Sequence, residues 1–274
     1  MCQLKSCLVL KDRVFCPDYD SHQQMLEKLG IEDNYLHASK TFVRVELLPP
    51  DGIRSLMEPL DKWTLKVDQD IMPEWWDEKA DRQRVEEVVE IWRKKHVFTE
   101  DEHIVRTEEV YAFGNAIVRA HDCAKIYAFG KATVVAYGNT IVKACESAKV
   151  TAFESATVKA CGNAIVKAYN SATVTAGDSA TVEACGTTTV YAYDNATVKA
   201  YDIATVEAYC GAKVEIYDNV MAEAYDSAKV SAYNSTRVTV WNRAAVKAYD
   251  NAIAIYPQQK KAVYPIGWTI EIHK

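Results

Sequence analysis

Cys16, Asp18, Asp20 and His22 crowd into the heptapeptide CPDYDSH, and thiol, carboxylate and imidazole are the groups that bind metal ions. Their spacing matches no metal motif, so the segment reads as a turn whose carboxylates cap nearby backbone groups, and no metal is expected. The eight cysteines, at positions 2, 7, 16, 123, 145, 161, 185 and 210, show no CxxC pairing. They read as thiols of a reducing cytosol, Cys145 and Cys161 included, although those two could be near enough for a disulfide. The six histidines are scattered. Nothing forms a Ser-His-Asp or Cys-His set, a phosphate-binding glycine loop or a carboxylate pair placed for acid-base work. The chain is therefore expected to be non-enzymatic and to use no cofactor.

Residues suited to binding are easier to find. A column of aromatics recurs every eight residues towards the C-terminus: Tyr193, Tyr201, Tyr209, Tyr217, Tyr225, Tyr233, Trp241 and Tyr249. If alternate members stack, Tyr201, Tyr217, Tyr233 and Tyr249 form one ladder. Stacked rings stabilise a rod by themselves, and exposed Tyr and Trp also suit a protein or carbohydrate partner. The second candidate surface is the acidic stretch DQDIMPEWWDEKADRQRVEEVVE, where Trp75 and Trp76 stand beside Glu78, Asp81, Glu86 and Glu90. One Trp in a domain core, with the charges on a solvated helix face, accounts for the same residues without a partner.

The aromatic column belongs to a larger regularity. With Val as anchor, positions 110, 118, 126 and every eighth residue to 254 hold sixteen Val, Ile126, Ala222 and Ala254. Ala occupies sixteen of the nineteen positions two residues later and fourteen of the nineteen two residues earlier, so the unit reads A-x-V-x-A. Period-two alternation places Ala, Val and Ala on one strand face and Thr, Lys or Glu on the other. The first turn position is Asp, Asn or Gly in fifteen of eighteen cases, residues that tolerate left-handed backbone angles. A period this strict predicts a β-solenoid. Three octads per coil would enclose more space than Ala and Val can fill, whereas two facing octads make a thin core that they can. The expected fold is mostly β, an octapeptide-repeat solenoid with two strands and sixteen residues per coil. In it Lys167, Glu183, Lys199 and Glu215 stack as an alternating charge ladder, and Thr157, Thr173, Thr189 and Thr205 as a hydroxyl ladder. An ice-binding role for such hydroxyls is disfavoured, because Lys125, Lys149, Lys213, Lys229 and Arg237 interrupt the array.

Residues 1-104 read as a small α+β domain capping the solenoid of residues 105-256, and residues 257-274 as a C-terminal cap carrying two prolines and Lys260-Lys261. LKSCLVL and RVFCP suggest a hairpin about Lys11-Asp12, SHQQMLEKLG a helix, and TFVRVELL and WTLKVDQ further strands. A long helix follows, with Pro73 suited to its first turn, an apolar stripe of Val85, Val88, Val89 and Trp92, and Arg93, Lys94 and Lys95 near its end.

Composition bounds the function. The chain has 274 residues, 49% hydrophobic and 26% charged, which suits one or two soluble domains, and no run of eighteen apolar residues or secretory leader is evident. Residues 1-104 hold 15 Lys and Arg against 22 Asp and Glu, a balance of −7; residues 105-274 hold 17 against 16, a balance of +1. A near-neutral solenoid argues against direct nucleic-acid binding and against mimicry of an acidic duplex. The acidic N-terminal region favours that end for a basic partner.

The segments FCPDYDSH, FVRVELLPPDG and WTLKVDQDIMPEWW, followed by octads of the SATV type, resemble uncharacterised proteins encoded by phages and prophages of gut bacteria. The resemblance covers roughly the first 100 residues by motif and the remainder by repeat style, and it transfers no active-site residue. It implies a cytoplasmic binding protein of the infected bacterium, an antagonist of a host defence complex such as a nuclease or CRISPR effector. A virion or surface recognition module and a self-assembling scaffold are the alternatives, and a homo-oligomer stays open.

Overall fold

Strict alternation of small and polar residues leaves the octads one way to bury their apolar face, which is against another copy of the same strand. The computed structural model describes residues 5-257 and 261-263, and the chain divides into two compact units after Val97. The second unit is a parallel β-solenoid of two sheets, with one octad to each strand and two strands to each coil. One sheet holds ten strands, from Glu102–Val105 to Ala245–Ala248. The other takes the alternate octads, from Glu109–Ala112 to Ile253–Tyr256.

The register is n with n+16, as in Val158 opposite Val174 and Lys167 opposite Glu183. Inward residues are buried and outward ones exposed or half-buried: Ala156, Val158 and Ala160 lie in the core, while Thr157 and Lys159 face solvent. The buried Ala and Val form one continuous cluster from Val105 to Ala254. All eighteen first turn positions have positive φ, including the three whose residue type did not announce it, Glu146 (60°), Glu154 (59°) and Cys210 (55°). The coil imposes the left-handed angle even where a side chain disfavours it by about 1-2 kcal/mol. Glycine is favoured at Gly162, where φ is 63° and a Cβ would come within 2.9 Å of the Glu146 nitrogen.

Two details depart from the repeat as read in sequence. Glu102–Val105 is already a solenoid strand, with His103 opposite Val118 in a register of fifteen, so the coil begins ahead of residue 105. Its sequence lacks the A-x-V-x-A pattern, which hides it. At the other end, Lys261–Val263 pairs antiparallel with Ile253–Tyr256 and covers that sheet's last strand; the rest of the tail expected to act as a cap lies outside the described residues.

The first unit is α+β. Strands β1 (Lys5–Leu10), β2 (Val14–Phe15), β3 (Phe42–Leu48) and β4 (Thr64–Val67) form an antiparallel sheet ordered β2-β1-β3-β4. Helix α1 (His22–Leu29) is N-capped by Ser21 and ends at Gly30 in the left-handed conformation. Its Met25 and Leu26 pack on Leu8, Leu10 and Phe42. A short α2 (Tyr35–Ala38) follows. Helix α3 (Glu78–His96) buries Val85, Val89 and Trp92, and Lys5, on the opposite side of β1 from Leu8, lies 5.2 Å from the Trp92 ring. Pro73 does not start this helix: Asp77 does, accepting hydrogen bonds from the nitrogens of Lys79 and Ala80, while Pro73 accepts from Trp76 in a turn of its own.

The assignment of faces gives a direct expectation. Ala168→Leu or Ala200→Leu, at fully buried positions, should cost about 1-3 kcal/mol or more by overpacking. Lys199→Gln removes only an exposed ion pair to Glu215 and should cost under about 1 kcal/mol. Urea unfolding measures both, and equal losses would count against this assignment of faces.

Candidate functional site

Because residue n lies beside residue n+16, each turn stacks on a turn of the next coil, and the solenoid has two long edges. Along one edge Tyr201, Tyr217, Tyr233 and Tyr249 form an unbroken ladder with ring centroids 5.0, 4.9 and 4.7 Å apart and planes within 9° of parallel. The spacing is that of strands in a sheet. The ladder continues a longer one, His121, Tyr137, Phe153 and Tyr169, interrupted only at Cys185, so the aromatic column is not confined to the C-terminal half. On the other edge, Phe113 stacks on Phe129, and Tyr193, Tyr209, Tyr225 and Trp241 stack in turn. Cys145, Cys161 and Gly177 stand between these two runs, the cysteines as thiols on successive rungs.

Stacking covers the ring faces, so a ladder shows its surroundings ring edges and hydroxyls. On the second edge the hydroxyls are already used: Tyr209 donates to Glu207, Tyr225 to Glu223, and the Trp241 indole to Glu223 at 3.3 Å. These carboxylates keep the phenols protonated, raising Tyr225 to about 12 and Tyr209 further. On the first edge Tyr217 donates to Glu215 at 3.2 Å, and Lys199, 3.0 Å away, holds that carboxyl below its ordinary value.

Beside the first ladder runs a column that sequence reasoning assigned to backbone angles alone. Asp202 accepts from the Gly186 nitrogen at 2.8 Å, Asp218 from the Asp202 nitrogen at 3.1 Å, and Asp250 from the Asn234 nitrogen at 3.2 Å. Each carboxylate thus caps the turn one coil earlier. Glu154 does the same for Gly138 on this edge, and Glu146 for Gly130 on the other, at 2.8 Å each. The recurrence of acids at one turn position was the available signal. Phenols and carboxylates consequently alternate along this edge, with Ile203 exposed among them.

The acidic helix is differently arranged. Asp81 is buried, its carboxylate accepting from the Asp77 nitrogen and pairing with Arg84 at 2.5 Å. Glu86 pairs with Arg82 at 2.7 Å, and Glu90 with Arg93 at 2.5 Å and Lys94 at 3.9 Å. Glu78 is exposed, in the first turn. The indole of Trp75 donates to the Lys40 carbonyl at 2.7 Å, and Trp76 is half-buried. Most of the acids in the expected patch therefore already have cationic partners on their own helix.

The CPDYDSH residues separate. Cys16, just after β2, faces Cys7 of β1, whose thiol burial pushes up; Asp18 pairs with Lys95 and His96; Asp20 pairs with Lys5. His22 gathers instead with Glu46 and Asp68.

The phenol–carboxylate pairs predict an alkaline weakness. Above about pH 10 the phenols of the unfolded chain ionise while Tyr209 and Tyr225 keep their protons. The fold then binds more protons than the unfolded chain, so stability intact below pH 10 falls as pH rises towards 12. A Glu207→Gln, Glu223→Gln variant should flatten that fall in thermal melts taken across the range; an unchanged slope counts against the pairs. Comparisons with protein-family models, with curated proteins and with solved structures give no match, which leaves geometry as the ground for a functional reading.

Proposed function

We infer that this chain acts by binding, and that the Tyr201–Tyr217–Tyr233–Tyr249 edge with Asp202, Asp218 and Asp250 is its recognition surface. The observation that carries the reading is the difference in how acids are held. A carboxylate paired with Arg presents little net charge, whereas one capping a backbone N–H keeps its full negative charge. The solenoid edge is built of the second kind, at fixed spacing, with phenol hydroxyls between. Such a row complements a basic protein surface, where Arg can meet both carboxylate and ring edge.

Two alternatives are less well supported. Carbohydrate recognition uses free ring faces, and here neighbouring rings cover them. End-to-end assembly needs an open strand edge, and Lys261–Val263 lies along one such edge. The resemblance to phage-encoded proteins supplies the setting: an antagonist that occupies a bacterial protein or nucleoprotein complex, a nuclease or CRISPR effector, in the host cytoplasm.

The test is affinity capture from bacterial lysate with the intact chain beside two variants. Asp202→Asn, Asp218→Asn, Asp250→Asn keeps the capping acceptors and removes the charge. Trp75→Ala, Trp76→Ala disrupts the other surface. The partner should bind the first variant about 30-fold or more weakly, as a loss near 2 kcal/mol requires. Its hold on the parent should weaken with salt. A partner retained by the aspartate variant and lost by the tryptophan variant would move recognition to the N-terminal unit.

A further inference from the structure

His22, Glu46 and Asp68 come from α1, β3 and the residue after β4, and each offers one ligand atom within 4.8 Å of the others. The sheet brings the carboxylates together. Val45 pairs with Val67 and Glu46 with Lys66, and the Asp68 nitrogen bonds the Arg44 carbonyl at 2.9 Å, so β4's line continues to Asp68 beside Arg44. Ser21 starts α1 so that His22, its first residue, lies over this face.

Burial makes the group unusual. His22 is 5% exposed and Glu46 2%, yet among the described residues His22 Nδ1 and Glu46 Oε2 lack a hydrogen-bond partner. A buried carboxylate oxygen without one is costly. The nearest charges do not remove the problem. Lys66 Nζ is 3.6 Å from Glu46 Oε2, beyond a hydrogen bond, on a side chain 53% exposed, and the Arg44 guanidinium is engaged by Asp33. His22 Nε2 lies 3.1 Å from the Val45 carbonyl, which can only accept, so Nε2 carries the proton and in the neutral ring Nδ1 presents its lone pair. A backbone carbonyl holding the far nitrogen is the usual support of a metal-bound histidine.

The geometry points to a divalent metal site formed by His22 Nδ1, Glu46 Oε2 and Asp68 Oδ2, for a borderline ion of the Zn2+ type with water completing its coordination. Zn–N and Zn–O bonds near 2.1 Å in a tetrahedron set ligand atoms about 3.4 Å apart, and His22 Nδ1 and Asp68 Oδ2 are 3.4 Å apart. One nitrogen and two carboxylates suit Zn2+, Fe2+ or Mn2+ better than a soft ion. Asp68 is half exposed and lines an open pocket with Asp20, Ser21, Gln23, Asp33 and Arg44, which admits a hydrated ion. Lys66 is the competitor, since its ammonium must move from Glu46 when the metal arrives.

Calorimetric titration of the intact chain with Zn2+ tests the site, with thermal melts as a second readout. The parent should bind one ion that raises its melting temperature. Glu46→Gln and Asp68→Asn, which keep shape and lose charge, should each weaken binding at least about tenfold. Lys66→Met should strengthen it. Should Glu46→Gln fail to fold, Asp68→Asn at its half-exposed position decides. Zinc bound equally by parent and Asp68→Asn would place the ion on thiols or elsewhere and overturn the site, as would no binding by the folded parent.

Discussion

In-register parallel pairing puts every residue of the solenoid beside its counterpart sixteen positions on, at the spacing of strands in a sheet. Like lies on like. For small apolar residues this costs nothing, and two columns of Ala about one of Val make a thin, continuous buried core. For aromatics it is favourable, because the sheet holds the rings at stacking distance before they interact. For charges it is unfavourable: Lys143 lies beside Lys159, Lys213 beside Lys229 and Glu207 beside Glu223. The sequence relieves the conflict in two ways. On the faces it alternates sign, as in Lys167 with Glu183 and Lys199 with Glu215, 3.3 and 3.0 Å apart. At the edges it gives the acids backbone N–H groups to hold.

That rule decides what could be read from the residues alone. The coil was readable because octads admit one register and Ala columns one thickness, and both follow from counting. Glu102–Val105 was not, because a terminal strand needs only one matching neighbour and its sequence can drift. The left-handed angles at Glu146, Glu154 and Cys210 were hidden for a related reason: the lattice overrides local preference there. In the first unit the strands and α1 carried local signals, but the start of α3 did not, since Pro73 and Asp77 both suit a helix start and only the fold selects between them.

The sites separate along the same line. A ladder is a one-dimensional object, so its members share a period and the tyrosines could be aligned before any coordinates. His22, Glu46 and Asp68 share no period, and only the antiparallel register and the placement of α1 over the sheet make them neighbours. The acidic helix shows the opposite case, of pairing that composition does not display. Its composition suggested a charged patch, but the partners that neutralise Asp81, Glu86 and Glu90 lie three or four residues away, where helical spacing delivers them.

The contrast supports the proposal that the edge is the recognition surface. A helix rich in both signs satisfies its acids from its own sequence and leaves a partner little unbalanced charge to meet. The edge at Asp202, Asp218 and Asp250 does not do so, because its neighbours along the rod are copies of itself and the groups these acids hold are neutral backbone amides. Negative charge therefore accumulates at the turns as a consequence of the repeat, even in a unit whose net charge is close to zero, while the compensating Lys and Arg stand on the flat faces. A basic partner approaching such a rod meets an edge whose charge is unspent and whose spacing is fixed by the backbone, so little conformational freedom is lost in binding it.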